Sequence, residues 1–250
     1  MTYAPIGGQR LYYEVHGRQI REGGRPLVLL HGGLLTIELS FGPLLSPLAA
    51  DRQVIAVELQ GHGRTADTDR PMSIDALAGD VIELLDRLEI GDADLYGYSL
   101  GGLVACAVAV RAPGRVGRLI VASADPCRPP GRESAPIGDE QLPTQADFEL
   151  MRDAYRAVAP DPAHFEKFAG RVTAMVHEVA GWTADEVRAL RAPTLLIFGD
   201  RDFSPLPDVV ELYGLLPDAR LLVLPGATHI DVSRRPDELL AHILPFLDAR

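Results

Sequence analysis

Positive charge, cysteine and long apolar runs are all scarce in this chain, and each scarcity removes a class of function. Lys and Arg number 24 against 35 Asp and Glu, a formal net charge of -11 over 250 residues. No basic run is present to replace the counterions of a nucleic-acid backbone, so nucleic acid is not expected as a partner. No apolar stretch approaches the roughly 20 residues of a membrane-spanning helix; the run at 27–35 is broken by His31, Gly32 and Gly33. A membrane partner is therefore not expected either. Residues 1–8 lack the basic-then-apolar pattern of a secretory signal. The two cysteines, Cys106 and Cys127, make neither a disulfide framework nor a C-x-x-C metal site. Cys106 falls among small apolar residues of a helical stretch, where a thiol packs as a small hydrophobe. Together these features predict a reduced, cytoplasmic protein with no metal site.

What is present is ordinary for a globular protein with a sizeable core: 47% hydrophobic and 24% charged residues. Short apolar runs at 11–15, 26–30, 54–58, 95–98, 119–122, 194–198 and 220–224 read as strands. Several are apolar throughout, as strands covered on both faces must be. Helical patterns alternate with them. Ser73 is placed to cap a helix over 74–88 whose Leu77, Val81, Leu84, Leu85 and Leu88 form one apolar face. Pro236 suits the first turn of a last helix, and Pro245 is expected to shorten or kink it. This alternation predicts an α/β fold: a mostly parallel central sheet with helices on both faces.

The alternation breaks once, between Ser123 and Thr194. Pro126, Pro129, Pro130, Gly131, Pro136, Gly138 and Pro143 mark an extended loop. Two helical faces follow, one with Phe148, Met151, Tyr155 and Val158, the other with Phe165, Phe168, Val172, Met175 and Val179. Thr183-Ala184-Asp185-Glu186 is a capping box that opens a third helix. The segment 126–192 is thus expected to be a helical cap inserted into a core formed by 1–125 and 193–250.

The chemistry centres on Gly97-Tyr98-Ser99-Leu100-Gly101, a G-x-S-x-G pentapeptide between a strand and a helix over 102–110. In such a nucleophile elbow the serine sits on a strained turn, and side chains at 97 or 101 would strike the neighbouring strand and helix. A serine hydroxyl needs a base, itself oriented by a carboxylate. Of the later histidines, His164, His177 and His242 fall within helical patterns, whereas His229 follows a strand in the turn-rich Pro225-Gly226-Ala227-Thr228-His229. Phe198-Gly199-Asp200-Arg201-Asp202 offers two carboxylates, also after a strand.

With serine, acid and histidine in that order, the chain resembles the α/β-hydrolase fold family over nearly all its length except the cap. The resemblance places the acid in a G-x-x-D turn and so implies Asp202 rather than Asp200. Asp125 is a second candidate, since some members take the acid from an earlier strand. His31-Gly32-Gly33 is similar to the family's H-G-x loop, which implies backbone N–H groups of Gly33 and Leu100 as the oxyanion hole, with Leu34 an alternative to Gly33. Glu58-Leu59-Gln60-Gly61-His62-Gly63-Arg64-Thr65 is similar to the family's D-x-x-G-x-G-x-S segment, and His31, His62 and Arg64 are read as structural. Ser99 excludes the relatives that use an aspartate nucleophile. Leu103 stands where a related lyase places arginine.

The expected activity is cleavage of a small, uncharged carboxylic ester or lactone through an acyl-enzyme on Ser99. The partner would be a small-molecule substrate, with no cofactor. Leu34, Tyr98, Phe148, Met151, Tyr155 and Phe168 are the residues expected at the substrate pocket. A C–C bond hydrolase or lyase using the same triad, or a ligand-binding protein with negligible turnover, remain alternatives, because fold alone does not fix a reaction. The oligomeric state is left open.

Overall fold

A computed structural model describes residues 2–18, 24–127, 137–179 and 181–249. Among these described residues, eight strands form one sheet in the order β1-β2-β4-β3-β5-β6-β7-β8. They are β1 (Thr2–Ile6), β2 (Gln9–His16), β3 (Leu27–Leu30), β4 (Val54–Glu58), β5 (Ala93–Tyr98), β6 (Val116–Ala122), β7 (Thr194–Arg201) and β8 (Ala219–Thr228). Only β2 runs against its neighbours; all other pairings from β4 to β8 are parallel. The seven strands anticipated from apolar runs are all present. β3, β4 and β5 are buried at every position, which is why their sequences carry no polar alternation.

β1 is the strand that the apolar runs did not reveal. It alternates exposed and buried residues and carries Pro5, as an edge strand tolerates. Its signal lies in Gly7-Gly8. Ile6 pairs with Gln9 across this two-residue turn, both glycines have positive φ (56° and 78°), and Gly-Gly between two runs marks a tight hairpin.

The helices are α1 (Ile37–Leu48), α2 (Ile74–Arg87), α3 (Leu100–Arg111), α4 (Gln145–Val158), α5 (Phe165–Glu178), α6 (Ala184–Arg188), α7 (Leu206–Leu215), α8 (His229–Ser233) and α9 (Pro236–Leu247). α2 packs on α3 and α1 on α9, so the sheet carries helices on both faces. Ser73 caps α2 by accepting from the N–H of Ala76 (3.1 Å). α9 does not stop at Pro245 but continues to Leu247. α1 contains Pro43 and Pro47, which hide it from a search for uninterrupted helical patterns.

Between β6 and β7 lie α4, α5 and α6. Of the loop expected ahead of them, Pro129, Pro130, Gly131 and Pro136 fall outside the described residues. The Thr183 capping box is formed, with Thr183 Oγ1 accepting from Glu186 N–H and Glu186 accepting from Thr183 N–H. Polar contacts tie this insertion to the rest of the chain. The buried Asp67 accepts from His164 Nε2 (2.8 Å) and from Arg171. Arg234 pairs with Asp147, and Gln141 Nε2 donates to the carbonyl of Asp202 (2.7 Å).

Candidate active site

The parallel strands end together at one edge of the sheet, and the candidate site is built there from the turns that follow β3, β5, β6, β7 and β8. Ser99 joins β5 to α3 with φ 52° and ψ −116°, a conformation that L-residues rarely adopt. Its N–H donates to the carbonyl of Ala122 on β6 (2.8 Å), which helps hold the strained turn. The flanking glycines are sterically required. A Cβ on Gly97 would overlap the carbonyl of Gly101, and one on Gly101 would overlap the carbonyl of Leu30.

Ser99 Oγ lies 2.9 Å from His229 Nε2, and His229 Nδ1 lies 2.7 Å from Asp202 Oδ1. With Nδ1–H donated to the carboxylate, Nε2 is left to accept the serine proton. His229 is the first residue of α8, and the chain enters that helix through Thr228, whose N–H and Oγ–H both donate to Asp231 (3.0 and 2.8 Å). Tyr98 O–H donates to the carbonyl of His229 (2.8 Å), so the residue before the serine anchors the histidine backbone. Asp200 is exposed, and Asp125 accepts from the N–H of Cys127 two residues on (2.9 Å). Of the three carboxylates considered, the geometry joins Asp202 to His229.

Two residues at the site escaped the sequence reading. Ser123, at the end of β6, donates through Oγ to Asp202 Oδ2 (2.6 Å), occupying the oxygen that His229 does not use. It also has positive φ (53°), a deviation no sequence pattern announces. Phe203 stacks on the imidazole of His229, with ring centroids 4.0 Å apart and planes within 10°. Its position directly after the acid was the only available signal. Burial pushes the Asp202 carboxyl up, but hydrogen bonds from His229, Ser123 and the Phe203 N–H outweigh it and hold the group below the usual carboxylate range.

His31-Gly32-Gly33 follows β3 and is fixed from several sides. The His31 side chain is fully buried; Nε2 accepts from Leu59 N–H (3.0 Å) and Nδ1–H donates to Gly32 O (2.8 Å). Gly101 N–H donates to His31 O (3.1 Å), which ties the first turn of α3 to this loop. Gly33 and Leu100 are consequently neighbours at the cavity, and among the described residues neither of their N–H groups is taken by a hydrogen bond. Leu34 beside them has φ 63°. Glu58 is fully buried and accepts from the backbone and side chain of Arg64, while Thr65 Oγ1 donates to Glu58 O (2.6 Å). His62 is buried between His31 and Phe168. These groups hold the loop; none reaches Ser99. Among the described residues no cluster of three or more His, Cys, Asp or Glu side chains is arranged to hold a metal ion.

Ser99 and His229 open on a cavity of about 550 Å³ whose walls are largely apolar. Leu34, Tyr98, Phe148 and Met151 line it. Tyr155 and Phe168 do not, which corrects the expectation for these two. Tyr155 stacks on Phe168 (5.4 Å, 14°), both rings contact Phe165, and the Phe168 ring meets His62 edge-on. Gly61, with φ +78°, leaves room for it, since a Cβ there would lie 2.7 Å from the Phe168 ring. Phe168 joins the insertion to the core and Tyr155 packs against it; neither ring is wall. Leu35, Val172, Val176, Phe203 and Ile230 add lining that the sequence reading did not place at the pocket.

Comparison with known proteins agrees with this architecture. Residues 27–242 match the model of the alpha/beta hydrolase family. The chain belongs to that family. It is 33% identical to the dihydrolipoyllysine-residue acetyltransferase component of an acetoin cleaving system from Pseudomonas putida, over 98% of this chain and 68% of that protein. It is 27% identical to a pimeloyl-[acyl-carrier protein] methyl ester esterase from Nitrosospira multiformis, over 96% of this chain and 99% of that one. Among solved structures, a meta-cleavage product hydrolase from Pseudomonas fluorescens superposes with a TM-score of 0.81 at 23% identity, covering 99% of this chain and 97% of that one. That likeness is one of fold. No helix among the described residues is long and apolar enough to cross a membrane.

Proposed function

We propose that the protein is a serine hydrolase that cleaves a small, uncharged carboxylic ester or lactone. The observation that carries this reading is the Ser99–His229–Asp202 chain of hydrogen bonds, at 2.9 and 2.7 Å, opening on an apolar cavity. Ser99 Oγ attacks the substrate carbonyl as its proton passes to His229 Nε2. Asp202 keeps the imidazole in the required tautomer and stabilises the imidazolium. The free N–H groups of Gly33 and Leu100 receive the oxyanion, and Leu100 adds the positive end of the α3 dipole. His229 returns the proton to the leaving alcohol, then draws one from water as that water attacks the acyl-enzyme. The acid product leaves and Ser99 is restored. The segment 126–192 acts as a cap that selects the substrate. The methyl ester esterase among the relatives supports ester chemistry.

The test is a panel of 4-nitrophenyl esters of graded acyl length, run beside a fluorophosphonate probe. The wild type is expected to turn over the esters and be labelled. Ser99→Ala should lose about four to six orders of magnitude in kcat and all labelling. Labelling that persists in Ser99→Ala removes Ser99 as nucleophile.

A further inference from the structure

The cavity is not uniformly apolar. Apart from Ser99, His229 and the already bonded Tyr98 hydroxyl, two polar side chains are found among its described lining residues, Thr173 and His177. They lie one turn apart on α5, with Val172 and Val176 completing the same wall. Both are exposed, and among the described residues neither makes a hydrogen bond or an ion pair. The residues that face the core from this helix, Phe168, Val172 and Met175, are buried, so Thr173 and His177 contribute little to the packing of the insertion.

We propose that Thr173 and His177 form a subsite for a neutral hydrogen-bond acceptor, such as an ether, carbonyl or hydroxyl oxygen, carried by the substrate away from its scissile carbonyl. This deepens the ester hydrolase reading and rests on it. Val172 fixes where the helix meets the oxyanion loop, because a Cβ on Gly33 would lie 3.2 Å from its Cγ1. At 1.5 Å rise per residue, His177 lies about 7.5 Å further along the helix. An acceptor several bonds from the reacting carbonyl therefore reaches the pair while the apolar part of the substrate fills the cavity between. The acceptor is neutral because no Lys, Arg, Asp or Glu is found among the described lining residues, and an ion entering an apolar cavity without a partner is costly. The threonine hydroxyl and an imidazole N–H can each donate a hydrogen bond to such an acceptor.

The test uses esters in which one methylene at a time is replaced by an ether oxygen, scanned along the acyl chain of 4-nitrophenyl octanoate and along the alcohol of an alkyl butanoate. The readout is the ratio of kcat/KM for each ether to that for its all-carbon parent within one enzyme. In the wild type the ratio should peak at one position in one arm. In the Thr173→Val/His177→Phe variant that peak should fall about tenfold, through KM, as expected for a lost hydrogen bond. Ratios that show no peak, or a peak the variant leaves intact, overturn the subsite while the ester hydrolase reading stands. Absence of turnover on every ester, with no labelling of Ser99, overturns both.

Discussion

At the residue scale, the division of labour around Asp202 gives the sharpest tests. One carboxylate oxygen takes His229 Nδ1–H and the other takes Ser123 Oγ–H. Asp202→Asn keeps the shape but favours the wrong imidazole tautomer, and kcat should fall on the order of 10⁴-fold. Asp125→Asn should cost far less, because Asp125 bonds the turn at Cys127. A severe loss at Asp125 with a mild one at Asp202 in steady-state kinetics would move the acid to the end of β6. Ser123→Ala removes one hydrogen bond to a buried charge and should lower kcat by about tenfold with KM little changed. A change confined to KM would show that Ser123 shapes the cavity rather than positioning the acid.

At the scale of elements, α4 and α5 each carry two kinds of apolar residue that helical periodicity cannot tell apart. Met151 on α4 faces the cavity, whereas Phe168 on α5 is fully buried in the aromatic cluster against Gly61 and His62. Phe168→Ala should therefore lower stability by about 3–5 kcal/mol, read by chemical denaturation, and leave the ranking among acyl lengths as it was. Met151→Ala should shift that ranking toward longer chains. If Phe168→Ala instead alters chain-length preference at unchanged stability, the aromatic cluster belongs to the pocket wall after all.

For the whole molecule, the buried histidine pair beside Phe168 couples stability to pH. Burial lowers the imidazole of His31 to about 4; burial, followed by repulsion from His31, lowers that of His62 well below its ordinary value. In the unfolded chain both would titrate near 6.5. A folded-state value below the unfolded one means that the stabilisation is complete above about pH 6.5 and is lost progressively as the pH falls toward about 4. The depressed carboxyl of Asp202 adds a loss in the acid range below about 3.9. Glu58 and Asp94 act in the opposite sense, because burial pushes their carboxyls up and their contribution fades as the pH rises. The histidine contribution is isolated by comparison. His62→Gln should show a shallower decline in melting temperature from pH 6.5 to 4 than the wild type, and identical slopes would count against this account.

What the amino-acid sequence determined alone is what short-range physics controls. Continuous apolar runs marked the buried strands, and Gly97 and Gly101 marked a turn in which no Cβ fits around Ser99. The turn-forming residues Pro225 and Gly226, which the structure places in the last part of β8, singled out His229, since helical periodicity claimed the other late histidines. Tertiary structure decided whatever depends on partners distant in the chain. The ends of β6, β7 and β8 meet only through strand register, and that juxtaposition chose Asp202 over Asp200 and Asp125 and brought Ser123 and Phe203 to the same carboxylate and imidazole. Likewise a helical repeat shows that Tyr155, Phe168 and Met151 each lie on an apolar face, but not what that face meets. The Gly61–His62 loop, about a hundred residues away in sequence, took Phe168, on which Tyr155 stacks, and left Met151 to the cavity.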